Sequence, residues 1–339
     1  MSSWFNYIYN SIYGETSNVE EAPKVSRKYG WKKGEKYNQH TKHIFSLCRS
    51  HNQIKSLDLR SKCPNVYDQG HLGSCTANAI GFCYHFDELV QNEKSPFQPS
   101  RLFIYYNERN MEGNVDIDSG AEIHDGIQSI NEVGVCSEEM WPYDISKFTE
   151  KPNDDCYNKA KEHHTIQYKA VDQTVDQLKA ALIEGFPVVF GFLVYESFES
   201  QEVAQTGIMP IPKKGEQLLG GHAVALVGFD DNKQWFIVRN SWGEGWGDKG
   251  YFYMPYSFIQ NPDMASDFWT VTKTFDVDTN EKASNIIEAH LRNKLVIDKV
   301  LDNIITCPQM AVIEEEQSKL ESPIFLVSKR NRRQKHKLQ

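Results

Sequence analysis

The chain lacks any apolar run long enough to cross a bilayer. Its longest uncharged apolar stretch, Phe186 to Tyr195, spans ten residues, where a spanning helix needs about 20. That run reads as a buried strand. The amino terminus, MSSWFNYIYNSIYG, has neither a basic n-region nor a continuous apolar h-region, so no signal peptide is recognised. Cysteine is sparse and odd in number: seven residues, at 48, 63, 75, 83, 136, 156 and 307, without the spacing of a disulfide framework. No N-x-S/T sequon occurs. Together these absences point to an intracellular, cytoplasmic protein with no membrane role.

The 339 residues are 40% hydrophobic, 12% aromatic and 24% charged, which excludes disordered, collagenous and fibrous classes. Net charge is −9, unevenly spread. Residues 329–337 (KRNRRQKHK) hold six Lys or Arg and no acid, so everything else carries −15. An acidic body argues against a nucleic-acid-binding fold and leaves polyanion contact to the basic tail 329–337 alone.

Three segments are expected: an N-terminal extension over 1–54, a dense globular region over 55–276, and a C-terminal helical extension over 277–339 ending in the basic tail. Ala79, Phe82, Cys83, Phe86, Leu89 and Val90 recur at helical spacing, predicting a helix over 75–91. Ile123, Ile127 and Ile130 predict another, closed by Gly134. Thr174-Val-Asp-Gln177 reads as a capping box opening a helix that ends at Gly185. Strands are expected at 187–195, 223–229, 235–239 and 251–256. Helices followed by strands make an α+β order in two lobes.

Three separated motifs carry the chemistry. In Asp68-Gln-Gly-His-Leu-Gly-Ser-Cys75, a cysteine follows a glycine-containing loop and opens a helix, where unpaired N–H groups and the helix dipole favour a thiolate. Gly220-Gly-His222-Ala-Val-Ala-Leu-Val-Gly-Phe-Asp-Asp231 and Trp235-Phe-Ile-Val-Arg-Asn240-Ser-Trp-Gly243 read as a hairpin. With its turn centred between Asp231 and Asn232, His222 faces position 241, which brings Asn240 beside the imidazole. Cys75 stands 147 residues before His222, and Asn240 follows after 18, so the parts of a Cys–His–Asn acyl-transfer site are present.

On these motifs the stretch Lys55 to Lys273 resembles the papain family of cysteine proteases. Asn240-Ser-Trp-Gly-Glu-Gly-Trp-Gly-Asp-Lys-Gly-Tyr251 matches that family's Asn-Ser-Trp-Gly-x-x-Trp-Gly-x-x-Gly-Tyr pattern at every fixed position. The resemblance implies a two-lobed α+β fold. A helical left lobe carries Cys75, an antiparallel β-barrel-like right lobe carries His222 and Asn240, and the cleft lies between them. It implies Cys75 as nucleophile, His222 as general base then acid, Asn240 as its orienter, and Gln69 in the oxyanion hole with the Cys75 N–H. Trp242 should shield the His–Asn bond. Ser119, Gly120 and Gly221 are expected to line the substrate path with Trp242, Gly120 through backbone pairing.

The departures are informative. Leu72 stands where secreted members carry a disulfide cysteine, Thr76 replaces the aromatic after the nucleophile, and the cleft motif is reduced to Asp118-Ser-Gly120. This style is similar to cathepsin-like proteases of bacteria, archaea and giant DNA viruses, which adds packaging in a virion as an expected location. No metal or organic cofactor is implied. Expected partners are peptide or protein substrates and the chain's own residues 1–54, acting as a propeptide over the cleft.

Weaker motifs are set aside. Gly243–Gly247 leads into a strand, so no helix N-terminus awaits a pyrophosphate. His40, His43, Cys48 and His51 have no metal-site spacing, and His163-His164 is expected to be solvated. Two rival functions use the same residues: acyl transfer to an amine acceptor, and a non-catalytic binding or structural role.

Overall fold

The computed structural model describes residues 27–40, 42–45, 54–91, 96–163 and 166–273. The chain divides into two compact units, Met1–Asp276 and Val277–Gln339, and all described residues belong to the first. The aromatic N-terminus, the C-terminal helices and the basic tail therefore lie outside the described residues, as do Cys48, His51 and His164.

In chain order the elements are β1 (Trp31–Lys32), α1 (Lys36–Gln39), β2 (Ser56–Asp58), α2 (Cys75–Val90), α3 (Arg101–Met111), β3 (Ala121–Glu122), α4 (Ile123–Val133), α5 (Asp154–Ala160) and β4 (Ile166–Ala170). Then come α6 (Val175–Ile183), β5 (Val188–Tyr195), α7 (Gln201–Thr206), β6 (Leu218–Asp230), β7 (Trp235–Arg239), β8 (Tyr251–Pro255), α8 (Tyr256–Ile259) and β9 (Ala265–Lys273). The helices cluster early in the chain and the long strands late, giving an α+β fold of two lobes. No helix among the described residues is long and apolar enough to cross a membrane.

One lobe is built on α2, α3 and α4. Helix α2 is buried on nearly every side, from Cys75 through Phe86. It packs against α3 and α4 on one side and against β6 and β9 on the other, so its N-terminus is held where the lobes meet. Gly134, at φ 85°, closes α4.

Helix α3 has no counterpart among the predicted elements. Nine of its eleven residues are buried, including Asn107, Glu108 and Arg109. Its buried face includes Arg101, Asn107, Glu108 and Arg109, polar residues that a search for recurring apolar positions passes over. Its start is nonetheless marked by Ser100, whose side chain accepts from the Phe103 N–H at 3.1 Å.

The other lobe is a seven-stranded antiparallel sheet in the order β4-β9-β5-β6-β7-β8, with β2 alongside β6. The strands fall close to their expected ranges, although β6 starts five residues earlier. The β6–β7 register differs from the expected one. Asp230 pairs with Trp235, so the turn is longer than a two-residue hairpin, with Gln234 at φ 58°. A bulge between Leu226 and Gly228 takes back one residue, and the ladder reaches Ala225↔Arg239. Carried to the site, His222 falls opposite position 242, one residue beyond the predicted partner.

Candidate active site

Cys75 is the first residue of α2, and His222 lies on β6, whose next residue, Ala223, turns its backbone toward the Cys75 sulfur. Asn240 follows the last residue of β7. Its Oδ1 lies 2.8 Å from His222 Nε2. The other ring nitrogen, Nδ1, has no hydrogen-bond partner. The imidazole is thus held at Nε2 and leaves Nδ1 without a partner.

Trp242 stacks on the imidazole with centroids 4.9 Å apart and planes 24° from parallel. It is itself backed by Phe198 and Trp246. His222 and Asn240 are both buried under this aromatic cover.

The loop before the nucleophile is fastened to the loop after β7. Gln69 N–H donates to Ser241 O at 2.9 Å, and Gly243 N–H donates to Tyr67 O at 3.0 Å. Ser241 Oγ donates to Gln69 Oε1 at 2.6 Å, while Gln69 Nε2 donates to Leu72 O at 2.9 Å. The amide is held at both ends next to the nucleophile's loop. Ser241 as its support could have been suspected only from its place between Asn240 and Trp242.

Residues 27–32 lie across this site. Arg27 sits over the Trp242 ring at 4.2 Å, and the edge of Tyr29 meets His222 with centroids 6.0 Å apart. Lys28 O approaches Gln69 Nε2 only to 3.5 Å, so that amide is covered without being firmly engaged. The Gly30 backbone lies close enough to the Cys75 sulfur to favour its thiolate, and Gly30 O accepts from Ala121 N–H at 2.8 Å. Next in sequence, β1 pairs in parallel with β3, Trp31 beside Ala121 and Lys32 beside Glu122. Lys28 pairs with Asp118 at 2.8 Å, and Lys32 reaches Glu112 and Ser119.

The expected cleft residues can now be placed. Gly120, at φ 68°, is pressed so closely against Gly30 that a Cβ on either residue would strike backbone. The N–H that pairs with the extended segment belongs, however, to the next residue, Ala121. Ser119 meets the Lys32 side chain, and Gly221 lies against the Trp31 backbone and ring. Trp31 itself was not singled out from sequence, where the stretch KYGWKKG reads only as basic.

Burial under this segment sets the electrostatics. The Cys75 thiol is pushed up to about 11, mainly by loss of solvent, against backbone hydrogen bonds that favour the thiolate. His222 is pushed down to about 4, chiefly by burial, with Arg27 adding to the fall and Asn240 opposing it. The helix N-terminus was expected to lower the thiol. In this covered arrangement desolvation outweighs that effect, and both groups are held neutral.

Two further expectations resolve differently. Thr174 caps α6 by accepting from Gln177 N–H at 3.3 Å, but the reciprocal half of the capping box is absent. The Gln177 side chain instead clamps Phe45, accepting from its N–H at 2.7 Å and donating to its carbonyl at 3.3 Å. His40 and His43 belong to aromatic packing, His40 against His124 and His43 against Phe45. His163 packs on Phe97. Among the described residues no group of three or more His, Cys, Asp or Glu could hold a metal.

A buried thiol at a helix start, near an imidazole bonded to an amide, is the arrangement that acyl transfer by a thiol requires. Residues 54–271 match the family described as papain family cysteine protease. A peptidase C1-like protein of Acanthamoeba polyphaga mimivirus is 51% identical over 217 residues, covering 62% of this chain and 70% of that protein. Xylellain, a cysteine protease from Xylella fastidiosa, superposes with a TM-score of 0.65 at 38% identity, over 76% of this chain and 100% of its own. A digestive procathepsin L of Tenebrio molitor larval midgut shares the fold at 18% identity and TM-score 0.54, over 74% of this chain and 77% of that one. The chain belongs to the papain family of cysteine proteases, and it is a thiol peptidase of the two-lobed fold.

Proposed function

We propose that the chain is a cysteine endopeptidase made in a self-inhibited form, with Cys75 as nucleophile and residues 1–54 as its propeptide. The Cys75 thiolate attacks the scissile carbonyl carbon, and the oxyanion is held by the Gln69 amide and the Cys75 N–H. His222, oriented by Asn240, gives its proton to the leaving amine as the thioester forms. The imidazole then takes a proton from water, whose oxygen attacks the thioester. Collapse releases the carboxylic acid and restores the thiolate. Because Arg27 and Tyr29 lie against Trp242 and Trp31 lies against Gly191, the cleft has room for chain on both sides of Cys75. That supports cutting within a chain.

The observation that carries the reading is the His222–Asn240 bond beside a buried thiol, with Gly30 laid over the sulfur. Titration with an epoxide thiol inhibitor tests it. The full chain should label slowly, the chain relieved of residues 1–54 should label one-to-one at Cys75, and Cys75→Ala should neither label nor cleave peptides. Retained peptidase activity in Cys75→Ala would remove the assignment, and equal labelling of both forms would remove the inhibitory role. Amine incorporation in place of hydrolysis would instead favour the transferase alternative.

A further inference from the structure

The chain that follows α4 is packed directly against α5. A Cβ on Gly134 would strike the Ala160 carbonyl oxygen at 1.9 Å, so this glycine sits against the C-terminal end of α5. One turn earlier on the same helix face, Cys156 Sγ donates to Met140 O at 3.8 Å. Residues 134–140 therefore cross the face of α5 that carries Cys156 and Ala160, the two buried residues of that helix. Cys136 lies on this strip, fully buried, with its carbonyl accepting from Ser100 N–H at 2.8 Å. Both cysteines are free thiols, near enough for each to shift the other's ionisation.

The stretch between them, residues 137–155, reaches back to the site. Trp141 O accepts from Ser100 Oγ at 2.7 Å. Tyr143 Oη donates to Gln69 O at 3.0 Å and meets Ser74 Oγ at 2.5 Å, so its ring braces the loop that runs from Gln69 into Cys75. The Arg101 guanidinium covers that ring at 4.0 Å. Helix α5 closes the stretch and is exposed at Asp154, Asp155, Asn158 and Lys159. A helix of seven residues is marginal on its own, and fraying of its first turn brings Cys156 to solvent while Cys136 stays beneath.

We propose that Cys136 and Cys156 are a redox-modification site, joined into a disulfide by exchange with a low-molecular-weight disulfide such as glutathione disulfide, and that the bridge fastens the loop bracing Gln69. The inference does not depend on the catalytic roles assigned above. The Cys156 thiolate attacks one sulfur of the small disulfide, releasing one glutathione thiolate and leaving a mixed disulfide. The Cys136 thiolate then attacks the Cys156 sulfur and displaces the second. Two protein thiols lose two electrons and two protons, and two glutathione thiols gain them. Burial raises both thiols; Cys136 is raised further by its neighbour and Cys156 is eased by its own, so Cys156 ionises first.

The test uses the full chain carrying Cys75→Ala, which removes the expected nucleophile and any self-cleavage. The folded protein is equilibrated in glutathione buffers of rising oxidised fraction, trapped by acid and alkylation, and digested without reduction. Mass spectrometry should find one intramolecular link, Cys136 to Cys156, reversed by dithiothreitol. The linked form should melt about 6–12 °C above the reduced one, the gain expected from closing a loop of about 20 residues. In Cys156→Ser on the same background the oxidation-dependent rise should vanish; if that variant does not fold, the link in its parent decides. Mixed disulfides without the Cys136–Cys156 link, links among other cysteines in its place, or a link that forms only in denaturant overturn the proposal. So does a linked form that melts within about 1 °C of the reduced one.

Discussion

At the residue scale, the site depends on a few polar contacts inside an aromatic shell. Asn240 makes one bond to His222, and Trp242 seals it. Asn240→Ala removes an orienting contact that carries charge once the imidazole is protonated, a bond worth about 1.5–3 kcal/mol. The expected result is a fall of about ten- to a hundredfold in kcat/KM of the released enzyme, with labelling stoichiometry unchanged. A variant as fast as the parent would show that Trp242 packing alone holds the ring. The proposed groups Cys75, His222, Asn240 and Gln69 stood out in sequence because the motifs that carry them are long. Ser241, Ala121 and Trp31 did not. Each acts through backbone geometry or through burial by a distant segment, and neither leaves a local pattern.

At the scale of elements, the closed state is a fit of backbone against backbone. Gly30 is wedged between Gly73 and Gly120, with no room for a Cβ on that side. Gly30→Ala should therefore push β1 away from β3 and from the sulfur without touching either catalytic lobe. The full-length variant should label with an epoxide roughly five- to thirtyfold faster than the parent, since displacing this contact by about 1–2 kcal/mol changes the open population that much. An unchanged labelling rate would mean that Gly30 is not what keeps the thiol covered. Amphipathic elements such as α4, and apolar runs such as β5, were readable from pattern. Helix α3 was not, because much of what it buries is polar: Arg101, Asn107, Glu108 and Arg109. The short parallel β1–β3 pairing was not, because two residues carry no period. The Gln177 side chain shows the limit of local motifs: the capping box predicted its position but not its engagement with Phe45, which lies 132 residues away in sequence.

At the scale of the molecule, closure is linked to pH. His222 titrates near 4 under the segment and near its ordinary 6.5 once exposed and unpaired. Above 6.5 both forms are neutral and the imidazole contributes nothing to the balance. Below it the open form takes up a proton that the closed form refuses, so closure weakens progressively from pH 6.5 to about 4. The full difference is about 3 kcal/mol, roughly a hundredfold in the open population. His40 of the segment acts in the same direction, lowered by burial, by His124 and by Lys42. Asp267, whose Oδ2 accepts from the Trp31 indole at 3.3 Å, acts in the opposite one, because burial raises its carboxyl and the closed form takes that proton first. The Cys75→Ala chain isolates the effect, since no thiolate can pair with the exposed imidazole and no self-cleavage intervenes. Susceptibility of residues 27–45 to an added acid-stable protease should rise steeply as pH falls from 6.5 to 4. In Asp267→Asn on the same background it should rise more steeply still, with the opposing carboxyl gone. A flat profile, or one that falls with acid, would mean that the imidazole is not what ties the segment to pH.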